Sequence, residues 1–265
     1  MVASQHPEAQ SSASGGDDNR PTGPGLGIIV SFDFLHDREL WRWSPKDTSP
    51  FITRTDPVEF TTNWELVTQL NRPEVVARPA RSLAALGTPA ITYLCTACSF
   101  VGGHDGERAL RNAMRHPGVQ TTLTAAGSVI DALSAVGAKR ISVAHPYEPP
   151  VGAALVRFLG TAGFDVLTEH SLGLQTIREV YDIGYREVRE LIANADHAEA
   201  DALFVSCTAL PTYDLIAPLE RELGKPIITV NQATMWAGLR SIGHRLQGPG
   251  QRLAAITDSQ IPWRR

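Results

Sequence analysis

Three cysteines in 265 residues are too few, and odd in number, for a disulfide framework, and a chain of this length has no need of one. Reduced thiols in a cytoplasm are the expectation. No apolar run approaches the roughly 20 residues that a membrane-crossing helix needs. Basic charge is not in excess either. With 24 Lys and Arg against 28 Asp and Glu, the net charge of −4 argues against a nucleic-acid partner. Neither a G-x-G-x-x-G after the first strand-like segment nor a G-x-x-x-x-G-K-[ST] loop occurs, so nothing supports a nucleotide, and no cofactor is expected. The start, 1–24, is rich in Ser, Gly, Asp and Gln and lacks both a basic and an apolar leader region. It reads as a disordered tail, not as a signal peptide.

What remains is 43% apolar and 20% charged, ordinary for a globular chain and long enough for two domains of about 100–120 residues each. Its organising feature is a repeat. Tyr93-Leu-Cys95-Thr96-Ala97-Cys98 has a second copy of its core at Val205-Ser-Cys207-Thr208-Ala209-Leu210. Cys95 lies 65 positions after the strand-like Gly27–Val30, and Cys207 lies 64 positions after Ile141–Val143. The two copies are offset by 112 residues, which predicts two versions of one α/β unit. Parallel sheets present reactive groups where strands end, so each cysteine is expected at a carboxyl edge. If the units face each other across a pseudo-two-fold axis, one thiol comes to each side of a small substrate.

The halves are predicted to be 25–124 plus 225–265 and 125–224, with the last strand and helix returning to complete the first. Strands are expected over Leu26–Phe32, Pro50–Thr55, Ala90–Leu94 and Val119–Thr124, then over Lys139–Ala144, Phe164–Thr168, Ala202–Val205 and Lys225–Val230. Helices fall between them by three- and four-residue apolar steps, including Pro211–Leu223 after the second cysteine and Gln232–Leu246 at the close. Asp33 stands after the first strand, where it either enters the site or caps His36–Trp43. His145-Pro-Tyr147 is the equivalent loop of the second half.

A thiol has a reference pKa of about 8.5, and a helix starting just after it lowers that value by its dipole while its N–H groups bind carboxylate oxygens. Thr96, Ser99 and Thr208 add hydroxyls. A buried cysteine is commonly a packing residue. Two in matching Cys-Thr-Ala contexts point instead to a shared acid/base site. Cys98 has no counterpart and is assigned to packing or the pocket wall. The Cys95–Cys98 spacing also suits zinc, completed by His104 or His145, or redox chemistry, but no second pair accompanies it and Cys207 would go unexplained.

These residues resemble the cofactor-independent aspartate/glutamate racemase superfamily, in the branch of maleate cis-trans isomerase and arylmalonate decarboxylase. The markers are Gly27-Ile-Ile-Val30, Cys95-Thr-Ala-Cys-Ser-Phe100 with Gly102-Gly103, Ala144-His-Pro-Tyr147, Ser171-Leu-Gly-Leu174 and Ser206-Cys207-Thr208. The resemblance runs from about Gly25 to Ile256. It implies two pseudo-symmetric, flavodoxin-like (Rossmann-like) parallel-sheet halves with the site between them. It also implies Cys95 and Cys207 as the catalytic pair, with Thr96, Tyr147 and backbone amides holding a substrate carboxylate.

Glutamate-type racemases carry Cys-Asn-Thr and Cys-Thr-His at the two cysteines, where this chain has Thr96 and Ala209 at the departing positions. The decarboxylase carries glycine in place of Cys95. Maleate isomerases carry Pro-Ser-Ser-Asn where Ser31-Phe-Asp-Phe34 stands. The expected activity is a maleate isomerase-like isomerisation of a small carboxylic acid, the alternatives being a racemase, an arylmalonate decarboxylase-like enzyme and a non-catalytic binder of a small acid. Thr96, Ala97, Tyr147, Thr208, Asp33, Gln175 and Thr176 are the expected substrate-binding residues; Leu40, Cys98 and Leu210 are further candidates for the wall. Exposed Trp and Leu on the early helices suit a homodimer.

Overall fold

The computed structural model describes residues 25–257. Two four-stranded, all-parallel sheets have the same strand order. The first runs through β1 (Leu26–Val30), α1 (Asp37–Trp43), β2 (Pro50–Arg54), α2 (Asn63–Gln69), α3 (Pro73–Ala85), β3 (Ala90–Leu94), α4 (Thr96–Phe100), α5 (Gly103–Ala113), β4 (Thr121–Thr124) and α6 (Ala125–Ala135). The second repeats the plan with β5 (Arg140–His145), α7 (Pro149–Thr161), β6 (Asp165–Ser171), α8 (Ile177–Tyr181), α9 (Tyr185–Ala195), β7 (Ala202–Val205), α10 (Tyr213–Leu223), β8 (Ile227–Thr229) and α11 (Val230–Ser241); a short α12 (Arg252–Ala255) follows. The orders are β2-β1-β3-β4 and β6-β5-β7-β8. This is the pseudo-symmetric pair of flavodoxin-like halves. The expected tail, 1–24, lies outside the described residues.

The strands form where they do because β1, β3 and β7 carry uninterrupted apolar or β-branched runs buried along their whole length, as strands covered by helices on both faces do. Helix starts are equally local. Thr124 and Thr229, the residues that end β4 and β8, are the N-caps of α6 and α11; Thr124 accepts the Gly127 amide, and Thr229 forms a capping box with Gln232. These two equivalent helices pack against each other at the centre of the molecule.

One assignment is corrected by the pairing. The strand within Lys225–Val230 does not complete the first sheet: β8 hydrogen-bonds to β7, at the place that β4 occupies beside β3. Each edge strand follows its neighbour through a helical crossover, and chain order decided the pairing. What does turn back is α11, which packs on α1, β3 and β4, and the segment after it. There the Gln247 amide donates to the Trp43 carbonyl at 2.8 Å and Trp43 Nε1 to Gln251 Oε1 at 3.0 Å.

Side chains of the first sheet's loops and helices tie the halves together. Buried Glu39 on α1 accepts the Thr212 amide at 2.7 Å and the Tyr213 amide at 2.9 Å, so a carboxylate of one half caps α10 of the other. Arg42 pairs with Asp214 through both terminal nitrogens, at 2.7 and 2.5 Å. His36 Nε2 lies 2.7 Å from the carbonyl oxygen of Ala209, two residues past Cys207. Glu39→Ala removes the partner of two largely buried amides, and is expected to cost about 2–3 kcal/mol in urea unfolding with an unchanged slope.

Candidate active site

The residues that follow the four central strands, β1, β3, β5 and β7, converge on one cavity of about 60 Å³. Asp33 comes from the loop after β1, Cys95, Thr96 and Ala97 from the end of β3, Tyr147 from the loop after β5, and Cys207 and Thr208 from the end of β7. Seven of the nine expected site residues therefore meet. The loop presenting Asp33 is fixed by Arg54, whose Nη1 donates to the Phe34 carbonyl at 2.7 Å and whose Nη2 binds Asp37 at 2.9 Å.

Gln175 and Thr176 do not line the cavity. Thr176 caps α8, accepting the Glu179 amide while Glu179 answers the Thr176 amide; Gln175 is exposed and donates to the Gly173 carbonyl at 3.0 Å. A Thr-x-x-Glu spacing is a capping box, and here the box claims the threonine. Leu40 and Leu210 are buried in the packing of their own halves and do not line it either.

Cys207 has φ 109°, and among the described residues it is the one non-glycine with positive φ. A side chain in this region costs of order 1–3 kcal/mol, and such strain clusters at functional sites. The helix expected from Pro211 onward starts later, at Tyr213, and a turn follows the cysteine. Cys207 therefore sits beside individual amides and not at a helix start. Burial pushes its thiol up to about 12; the Ala209 amide and the Tyr147 hydroxyl act in the opposite direction, and the Asp33 charge reinforces the rise. At neutral pH this sulfur carries its proton.

The Tyr147 hydroxyl is 3.1 Å from Ser206 Oγ, and burial, with the nearby Cys207, holds it protonated well above its ordinary range. The Tyr147 amide donates to His145 Nδ1 at 3.2 Å, and the two rings stack 5.1 Å apart. That bond makes Nδ1 an acceptor, so Nε2 carries the hydrogen that reaches Glu169 Oε1 at 2.8 Å. Gly152 of α7 permits the pair, since a Cβ there would lie 2.7 Å from the imidazole and 2.8 Å from the carboxylate.

Burial lowers the pKa of His145 despite Glu169. A lowered folded value means stability that is full above the unfolded pKa of 6.5 and lost as pH falls through the folded one. Unfolding free energy is therefore expected to decline as pH falls below 6.5, and His145→Gln should flatten that decline.

Cys95 departs from expectation. It is joined to Cys98 by a disulfide, with Cα atoms 5.4 Å apart, whereas Cys207 is free. The reason is α4, a five-residue helix hidden in the apolar run Thr96–Phe100, which Cys95 caps. One helical turn brings Cys98 beneath it, and both cysteines line the cavity. The Thr96 hydroxyl is buried against that of Tyr147, close enough to interact with it, and makes no other hydrogen bond.

The remaining wall is apolar or aromatic: Phe34, Leu66, Val67, Leu70, Ile177 and Tyr181. Nothing in the amino-acid pattern marks these, because α2 and α8 are short and their spacing does not tell which face meets a cavity. Ser31 also lines it. Among the described residues no lysine, arginine or histidine does, and the one charged lining residue is Asp33. Among the described residues no three His, Cys, Asp or Glu side chains gather as a metal-binding set. No helix among them is long and apolar enough to cross a membrane. A hydroxyl-, amide- and thiol-lined end facing an apolar wall can hold one carboxylate and exchange protons at the adjoining carbon.

Comparison with known proteins agrees with this geometry. A profile of the arylmalonate decarboxylase family matches residues 70–253. The chain is 29% identical to maleate isomerase of Nocardia farcinica over 177 residues, 64% of this chain and 70% of that protein. It is 28% identical to arylmalonate decarboxylase of Bordetella bronchiseptica over 172 residues, 64% and 72% of the two chains. Among solved structures, a cysteine-to-serine mutant of the Nocardia farcinica maleate cis-trans isomerase with a covalently bound succinylcysteine intermediate superposes with a TM-score of 0.76 at 25% identity, covering 87% of this chain and 98% of that one.

Proposed function

This chain belongs to the arylmalonate decarboxylase family, and from that premise we propose that it is a cofactor-independent isomerase of a small carboxylic acid, acting in a reducing cytoplasm through Cys95 and Cys207. The observation that carries the proposal is the meeting of one cysteine from each sheet in a single cavity beside the buried hydroxyls of Thr96 and Tyr147.

With Cys95 reduced, its thiolate adds to one alkene carbon of a cis-enoate. The C–S bond forms as the π electrons move onto the carboxylate, and the Thr96 and Tyr147 hydroxyls with nearby amides stabilise that charge. The Cys207 thiol gives its proton to the second carbon, whose bond to the first is now single and rotates. Return of the proton to Cys207 and expulsion of Cys95 leave the trans acid and both sulfurs as they began. A succinylcysteine, as held by the Nocardia mutant, is what thiol addition to a butenedioate yields once the second carbon is protonated. A racemase would use the same pair, one thiolate removing an α-proton and the other thiol replacing it from the opposite face.

A second reading has its own support. With Cys95 held by Cys98, Cys207 is the one free and protonated sulfur, which is what a decarboxylase needs to protonate the enediolate left after loss of carbon dioxide. The test is to offer the reduced protein maleate, arylmalonates, aspartate and glutamate with no cofactor added. Turnover of maleate supports isomerisation. Turnover of arylmalonates alone, kept by Cys95→Ala, supports the decarboxylase. Turnover of none, with thiols inert to iodoacetamide, leaves a binding protein.

Asp33 bears on the substrate. A second carboxylate reaching it meets like charge, and among the described residues no cation lines the cavity, Arg54 standing behind the loop. Asp33→Asn is expected to lower KM for dicarboxylates by about tenfold and to leave KM for monocarboxylates within about twofold, a contrast that steady-state kinetics reads directly.

A further inference from the structure

We propose that Cys95 and Cys98 form a peroxide-reactive dithiol that switches the site off reversibly, a role that rests on the proposed function of Cys95 only for its effect on turnover. Three observations lead there. The structure joins these two sulfurs and leaves Cys207 free, although all three cysteines line one cavity. The scaffold does not require a cysteine at 98, because the equivalent position of the second half is filled by fully buried Leu210. Finally, the two residues are unequally reached: Cys95 is 7% exposed and Cys98 1%, so Cys95 is the more accessible to a reagent entering the cavity.

The oxidant is hydrogen peroxide, which is small enough to enter a cavity of about 60 Å³. The Cys95 thiolate attacks one peroxide oxygen; an S–O bond forms, the O–O bond breaks, and the departing hydroxide takes a proton as water. The Cys98 thiolate then attacks the Cys95 sulfur, the S–S bond forms, and the S–O bond breaks to release a second water. Two thiols and one peroxide become one disulfide and two waters. An external dithiol reverses the step by exchange.

Little else needs to move. Helix α4 is anchored independently of the sulfurs, by Asn71 Nδ2 donating to the Cys98 carbonyl at 2.6 Å and by Ser99 Oγ accepting the Ala126 amide at 3.0 Å. Oxidation removes the Cys95 thiolate from the reaction. It also spares that sulfur from the sulfinic acid, a state that dithiols do not reverse.

The experiment treats fully reduced protein with equimolar hydrogen peroxide and follows intact mass, peptide maps and turnover together. Expected are loss of two hydrogens from the peptide holding Cys95 and Cys98, free thiols falling from three to one, at least a tenfold fall in turnover, and recovery of all three on adding dithiothreitol. In Cys98→Ala two equivalents of peroxide, one giving the sulfenic acid and the second the sulfinic acid, should carry Cys95 to the sulfinic acid, with a loss relative to its own untreated rate that dithiothreitol does not restore. The parent given the same two equivalents stops at the disulfide. The proposal is overturned if Cys95 and Cys98 stay reduced under peroxide, if either pairs with Cys207 instead, or if disulfide-bonded and reduced protein turn over at equal rates. Should no substrate be turned over, the masses still decide the dithiol chemistry, and the failure then belongs to the function proposed above.

Discussion

Cys207→Ala is expected to lower turnover by at least about 10³-fold while leaving the unfolding midpoint within a few degrees of the parent. The kinetic part follows from chemistry. All three candidate reactions require a proton at carbon, and positioned acid–base groups contribute about 10²–10⁴-fold. No other lining group among the described residues is placed to replace it, the Tyr147 hydroxyl being held far up its range by burial. The structural part follows from the backbone. Alanine meets the same positive φ as cysteine, so the strain is unchanged and only the sulfur's contacts with the Ala209 amide and Tyr147 are lost. Circular dichroism with a thermal melt separates the two effects.

The thiol's ionisation gives that variant a second signature. The folded value near 12 stands above the unfolded one of 9.0, so its contribution to stability is complete below pH 9 and disappears as pH rises towards 12. The alkaline fall in unfolding free energy should therefore be shallower in Cys207→Ala.

The second large effect concerns Cys95. Protein purified without a reducing agent is expected to isomerise no faster than background, and dithiothreitol should raise the rate by about 10³-fold or more, because the thiolate that forms the carbon–sulfur bond does not exist in the disulfide. Cys95→Ala should fix the enzyme in the inactive state whatever the reductant. If Cys95→Ala instead turns over arylmalonates at the parent rate, the chemistry is decarboxylation and Cys207 carries it alone.

Much of this site was legible beforehand, and for physical reasons. Ala90–Leu94 and Ala202–Val205 form strands over the predicted ranges because parallel strands buried on both faces leave unbroken apolar runs, and the Cys-Thr-Ala repeat marked where each run ends. Duplication then put Asp33 and Tyr147 at matching edges, since the residues after β1 and β5 are equivalent by strand order.

What escaped is also instructive. Ile227–Thr229 is three residues long and bears no mark of the sheet whose edge it joins. Helix α4 lies within an apolar run continuous with β3, so nothing in the pattern separates strand from helix, and the closeness of Cys98 to Cys95 was lost with it. A C-x-x-C spacing fits zinc, a disulfide or two independent thiols equally, and only the backbone between them decides. Thr176 carried the signature of a cap in Glu179, three residues on, a pattern that outweighs proximity to a conspicuous loop.

The central claim is that two sulfurs, one from each half, serve a single bound acid. Its most direct test is bridging: reduced Cys98→Ala protein, which keeps Cys95 and Cys207 alone, is treated with a bis-alkylating reagent of three-carbon reach and analysed by peptide mass. The account predicts one reagent per chain, linking the Cys95 and Cys207 peptides, with attack beginning at Cys95 and slowed by a bound carboxylate. Two separately capped sulfurs, each carrying its own reagent, would contradict it.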